Sequence, residues 1–260
     1  MAFYQAPSFE ALEQLSRSRD ADLARRELLD VDQVRGRGAQ SNRSGRFEKQ
    51  TRESFDDGWD NVEPLSIFET VEHNERAKTI ITTNDSPDIG FERSINAYRG
   101  CEHGCSYCYA RPSHAFLGHS AGIEFERDIY VKTNAVEALR TELSAKNYRV
   151  KPIAMGTNTD PYQPAERKHK LTRGILEVML ATRHPVMITT KSALITRDLD
   201  LLTELAKLGL VKVAISMTSM DHKLSRRMEP RASSPARRLE AIRLLTEAGV
   251  PVAVFASPMI

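Results

Sequence analysis

Cys101, Cys105 and Cys108 are the whole thiol content of this 260-residue chain, and all three fall in the single stretch CEHGCSYC. An odd, clustered set of cysteines is poorly suited to disulfides, and in a reducing compartment the thiols stay free for metal chemistry. Their spacing is C-x3-C-x2-C. Zinc sites usually combine paired C-x2-C hooks and close with four protein ligands. Here His103, His114 and His119 are the nearby candidates for a fourth ligand, so a Cys3His zinc site is one reading. Three thiolates from one tight loop instead suit three corners of a cubane iron–sulfur cluster, with the fourth iron left open. An open metal position is a place for a substrate or cofactor to bind.

Such a loop needs a frame to hold it. From about Phe91 onward, short β-prone runs alternate with amphipathic stretches. The runs are SINAY (94–98), PIAMG (152–156), VMITT (186–190), VKVAISM (211–217) and PVAVFA (251–256). Between them lie NAVEALRTELSAK, LTRGILEVMLATRH, TRDLDLLTELAKLG and SPARRLEAIRLLTEAG. Gly209 and Gly249 suit left-handed helix caps, and Ser233 or Ser234 before Pro235 suits a helix start. Strand and helix in alternation predict right-handed βαβ units on a parallel sheet, in an α/β fold. A barrel and an open doubly wound sheet both fit. In either, chemistry sits at the carboxyl ends of the strands, where the cysteine loop follows the first run.

The first 90 residues have a different texture. Residues 11–29 read as a helix, but VRGRGAQSNRSGRFEKQTRESFDDGWD has no period of 2 or 3.6 and reads as extended. Its Arg-Gly run is either a solvated leader that wraps the core or a contact for a nucleic-acid backbone. The expected division is an irregular extension over 1–90 and a core over 91–260. A net charge of +2, from 37 Lys and Arg against 35 Asp and Glu, gives no global argument for nucleic acid. No stretch approaches the roughly 18 apolar residues of a membrane span, and no signal peptide is evident, so a cytoplasmic protein with no membrane partner is expected.

CEHGCSYC also matches the C-x3-C-x-aromatic-C signature of the radical S-adenosylmethionine (SAM) superfamily. GTNTDPYQPAE, TKSALITRD, AISMTSMD and RRMEPRASSPARRLEAI resemble its bacterial branch related to spore photoproduct lyase, often labelled DNA repair photolyases. RGRGAQSNRSGRFE in the leader carries the same resemblance, which runs from Gly36 on. It implies a partial parallel (β/α) barrel, a 4Fe–4S cluster on Cys101, Cys105 and Cys108, and SAM chelated by the open iron. It further implies an electron donor such as flavodoxin or ferredoxin. One electron would split SAM into methionine and a 5′-deoxyadenosyl radical that takes hydrogen from a substrate, with nucleic acid among the candidates.

Residue roles follow from the same resemblance. Tyr107 holds the aromatic position that packs near the adenine, unless it only fills the loop's own core. Thr157 and Asn158 stand where many members carry a Gly-Gly-Glu run for the SAM amino group; here the chain has GTNTD, and Asp160 is a further candidate. Lys191 and Ser216 match polar positions that contact the SAM carboxylate and ribose, against plainer readings as a solvated strand end and a backbone-bonded hydroxyl.

Arg226, Arg227, Arg231, Arg237 and Arg238 could meet phosphates or simply solvate a helix, and Glu229 could pair with Arg231. The related lyase returns hydrogen from a cysteine outside the motif. With no fourth cysteine in this chain, Tyr107, Tyr109 or Tyr162 would have to serve, and efficient repair of spore photoproduct is not expected. Family cores commonly build six strands, whereas five signals are found here. The core is therefore expected to be C-terminally incomplete, with 251–256 at a sheet edge and apolar side chains exposed beside it. The competing reading from another class is a non-catalytic binding or regulatory protein with a structural metal loop.

Overall fold

The apolar runs and amphipathic stretches do form strands and helices in alternation, in a computed structural model that describes residues 36–39 and 69–258. The main sheet has six strands: β2 (Ile81–Thr83), β3 (Arg93–Ile95), β6 (Ile153–Met155), β7 (Val186–Thr190), β8 (Val211–Ser216) and β9 (Val252–Phe255), ordered β2-β3-β6-β7-β8-β9. From β3 to β9 every pairing is parallel, and β2 joins β3 antiparallel. A second sheet pairs β1 (Val71–Glu75) parallel to β5 (Asp128–Lys132), which pairs antiparallel with β4 (Tyr98–Arg99).

Seven α-helices appear among the described residues. They are α1 (Glu124–Arg127), α2 (Ala135–Leu143), α3 (Glu166–His169), α4 (Leu171–Ala181), α5 (Leu199–Lys207), α6 (His222–Met228) and α7 (Pro235–Glu247). The crossovers after β6, β7 and β8 carry α4, α5 and α7, as the βαβ pattern predicts. Strand β6 is buried at every position and β8 at all but Lys212, as expected of parallel strands covered on both faces. Ile153, Met155, Ile188, Val213 and Ile215 meet Ile175, Leu202, Leu205 and Leu245 of the helices in one core.

Helix punctuation follows the sequence. Gly209 (φ 68) and Gly249 (φ 76) are left-handed just beyond α5 and α7. Ser234 caps α7, with Pro235 in its first turn. Asp221 caps α6, its Oδ1 accepting from the backbone N–H groups of Lys223 (2.7 Å) and Leu224 (3.0 Å). Asp221→Ala is expected to cost about 1 kcal/mol, read as a lower denaturation midpoint with an unchanged slope.

The first run differs from expectation. SINAY is not one strand: β3 ends at Ile95 and β4 begins at Tyr98 in the other sheet. Before residue 90, β1 and β2 pair with β5 and β3. β1 reads VEHNE, too polar to announce a strand, and is held by its ladder to β5. The helix expected over 11–29 lies outside the described residues. Among the described residues β9 is an outer strand with Val254 and Phe255 exposed, and no helix is long and apolar enough to cross a membrane.

Candidate active site

The carboxyl ends of β6 to β9 and the loop after β4 meet around a cavity of about 440 Å3. Gly156 and Thr157 follow β6, Thr189 and Lys191 stand at the end of β7, and Ser216 ends β8. Cys105, Tyr107, Cys108 and Tyr109 come from the loop, and Phe91, Phe255 and Pro258 give an apolar rim. A smaller cavity of about 90 Å3 shares these walls and adds Cys101, His103, Asn158 and Asp160. All three cysteines therefore face one continuous space, together with every candidate named for SAM. The cysteines are free, with Cys101 buried and the other two partly so.

Gly156 explains how the floor is so close-fitting. Its φ is 89°, and a Cβ there would lie 2.1 Å from the carbonyl O of Thr189. No other residue fits. The turn beyond it is clamped by Asn96, whose Oδ1 accepts from the backbone N–H of Asn158 at 3.0 Å and of Thr159 at 3.3 Å. The Asn96 Nδ2 donates to Thr157 Oγ1 at 3.0 Å, and the Tyr109 hydroxyl donates to the Thr157 carbonyl.

Asp160 is a tie rather than a free carboxylate. Its Oδ1 accepts from Tyr162 N (2.8 Å) and Thr190 Oγ1 (2.6 Å), and its Oδ2 from Lys191 N (2.8 Å), with His103 Nδ1 at 3.3 Å. Burial pushes its pKa up, yet His103 and these donors win and hold it at about 2. It joins the ends of β6 and β7 to the cysteine loop.

Tyr107 leans on the other wall. Its hydroxyl donates to Glu229, which also accepts from Thr218 Oγ1 at 2.9 Å and pairs with Arg238. The Lys191 ammonium lies 5.7 Å above the Tyr107 ring. The arginine readings are corrected here. Glu229 pairs with Arg238, not Arg231, and Arg231 instead meets Glu102 at 3.1 Å. Arg238 is fully buried, while Arg226, Arg227 and Arg237 are exposed.

Of the tyrosines, Tyr107 and Tyr109 reach the cavity, whereas Tyr162 is buried in the core. His114 is buried among His119, Phe125 and Tyr130, and neither His114 nor His119 lines the cavities. Burial pushes the Cys101 thiol well above its usual value and that of Cys105 up to about 12. A bound metal would supply the positive charge that favours thiolate at both.

Residues 95–260, which contain the cysteine loop and β6 to β9, match the family described as the radical SAM superfamily. The chain belongs to that superfamily. The cysteine loop lies within the matched residues, after β4 of the smaller sheet. An uncharacterised protein of Mycobacterium tuberculosis is 40% identical over 172 residues, covering 66% of this chain and 51% of that protein. One from Methanocaldococcus jannaschii is 32% identical over 186 residues, with 71% and 66% covered. This radical SAM chain thus spans about half the length of the mycobacterial relative.

Among solved structures, spore photoproduct lyase complexed with dinucleoside spore photoproduct aligns with a TM-score of 0.55 at 19% identity, over 73% of this chain and 52% of the lyase. A mutant of that lyase with bound AdoMet and the dinucleoside aligns at 0.53 and 20% identity, over 73% and 51%. The likeness is one of fold: α/β, with the partial parallel barrel of radical SAM proteins.

Proposed function

We propose that the chain is the core of a radical SAM enzyme, with a 4Fe–4S cluster on Cys101, Cys105 and Cys108 and SAM in the adjoining cavity. The observation that carries this reading is that the three thiols and four parallel strand ends share one space. Its volume, about 440 Å3, is in the range of small-molecule sites. Among the described residues, no three His, Cys, Asp or Glu side chains could hold a single metal ion as placed. Three thiols from one loop suit three corners of a four-iron cluster with an open fourth iron, whereas a closed zinc site needs a fourth protein ligand.

When bound, the cluster and SAM supply one-electron cleavage of a carbon–sulfur bond, leaving methionine and a 5′-deoxyadenosyl radical that abstracts hydrogen. The chain's own residues bind and orient. Thr157 and Asn158, held by Asn96, would receive the SAM amino group. Lys191 and Ser216 would receive its carboxylate and ribose, and Tyr107 would pack near the adenine. Phe91 and Phe255 narrow the mouth against water. Tyr107 and Tyr109 line the cavity and, of the three tyrosines considered, would be the ones able to return hydrogen to a substrate there.

An external donor such as flavodoxin or ferredoxin supplies the electron. Nucleic acid is the substrate class to screen first, on likeness of fold alone. The test is anaerobic reconstitution with iron, sulfide, dithionite and SAM. Methionine and 5′-deoxyadenosine in equal amounts are expected. Stoichiometric zinc with no SAM cleavage would overturn the reading.

A further inference from the structure

In the Arg-Gly run of the leader, Gly36 is exposed but Arg37 and Ala39 are buried and Gly38 is partly so. The segment is wedged behind the cysteine loop. A Cβ on Gly38 would fall 1.7 Å from the Gly104 carbonyl O and 3.2 Å from Ser106 N, so the two backbones touch where no side chain fits. Gly104 and Ser106 flank Cys105 on either side.

A buried carboxylate joins the two segments. Glu126 is inaccessible to solvent; its Oε2 accepts from Gly38 N at 3.0 Å, and its Oε1 from Ala39 N at 2.7 Å. The same Oε1 accepts from Arg111 Nη2 at 2.6 Å, and that guanidinium donates to the Cys105 carbonyl O at 2.8 Å. Arg37 is itself buried and donates to the Glu126 carbonyl O at 2.6 Å and to Thr70 Oγ1 at 3.3 Å. Thr70 in turn donates to Glu102, inside the loop, at 2.6 Å.

We infer that residues 36–39 are a positioning strap for the cysteine loop, setting from behind the backbone that carries Cys101, Cys105 and Cys108. A short polar loop has little stiffness of its own, so its shape is set by what packs against it. Here a segment more than sixty residues upstream supplies that backing and gives two of the three hydrogen bonds that the buried Glu126 carboxylate accepts. Gly38 is the residue on which the fit turns, and Arg37 ties the strap to Thr70 and α1. The consequence for a cluster rests on the proposed function; the strap is read from its contacts alone.

The full-length chain tests this with Gly38→Ala and the milder Arg37→Lys. In metal-free protein, alkylation of the three cysteines by iodoacetamide, followed by mass spectrometry, reports how tightly the loop is held. Gly38→Ala is expected to speed alkylation roughly tenfold or more, with Arg37→Lys in between. In reconstituted protein the same variants are expected to retain less iron through gel filtration. Their reduced cluster should show an altered paramagnetic resonance signal, a change that a merely structural loss elsewhere does not produce. Unchanged alkylation and an unchanged signal in both variants would overturn the strap. Should Gly38→Ala fail to fold, Arg37→Lys alone decides by the same two readouts. Faster alkylation in a chain whose wild type never takes up a cluster supports the strap and sinks the proposed function instead.

Discussion

Replacing Cys101, Cys105 or Cys108 by alanine, one at a time, is expected to abolish SAM cleavage and leave a protein that cannot keep a four-iron cluster. The loop offers three thiols and no spare, so each loss leaves only two protein ligands for a cluster that needs three. The fold should survive. A buried cysteine behaves as a small apolar side chain, and its truncation to alanine is expected to shift the stability of the metal-free protein by about 1 kcal/mol or less. Loss of the cluster with an unchanged unfolding midpoint therefore separates a ligand from a packing residue. The measurements are iron and sulfide content, the charge-transfer absorbance of the cluster, and 5′-deoxyadenosine after reduction. A variant that keeps its cluster and still cleaves SAM would remove that cysteine from the ligand set.

Truncating Glu229 to alanine is expected to destabilise the chain by about 3–5 kcal/mol, because it strands a buried guanidinium. Glu229 and Arg238 are each 1% exposed, and Arg238 also donates to the carbonyl O atoms of Ser216 (2.9 Å) and Ser233 (2.8 Å). With the acid gone, those carbonyls cannot balance the charge. A double variant, Glu229→Leu with Arg238→Met, is expected to lose less than the single one, since nothing charged is then left unpaired. Acid should reveal the same group. Burial raises the pKa of Glu229, yet Arg238 and the Tyr107 hydroxyl hold it below its ordinary 4.5. Its stabilisation is therefore complete above 4.5 and is lost as pH falls through the depressed folded value. Urea unfolding near neutrality and again in acid measures both effects. A wild type and Glu229→Ala that converge in acid but differ near neutrality would bear this out; equal stability throughout would refute it.

Legibility in the sequence varied from residue to residue. The cysteine loop was legible because three thiols at fixed spacing have few alternative uses. Thr157, Lys191 and Ser216 were named from the family resemblance, at strand ends that period and punctuation had marked. Arg238 could not be found that way. In SPARRLEAI it looks like its exposed neighbour Arg237, and its burial depends on Glu229 and the end of β8 arriving from outside the helix. β1 was missed because its hydrogen-bonded ladder, rather than an apolar face, makes VEHNE a strand. Residues 36–39 have no period at all. Their place is set by one close backbone approach and one buried acid, and neither leaves a pattern along the chain.

Because the chain leaves one sheet at Ile95 and enters the other at Tyr98, the thiols and the cavity floor hang from different platforms. Asn96 is the strut across that joint, with its amide braced against the turn at residues 157–159. Any slippage between the platforms would change the spacing between the cysteine loop and the turn after β6. On the proposed function, that spacing would set the gap between cluster and SAM, so a side chain that lines neither cavity would hold it constant.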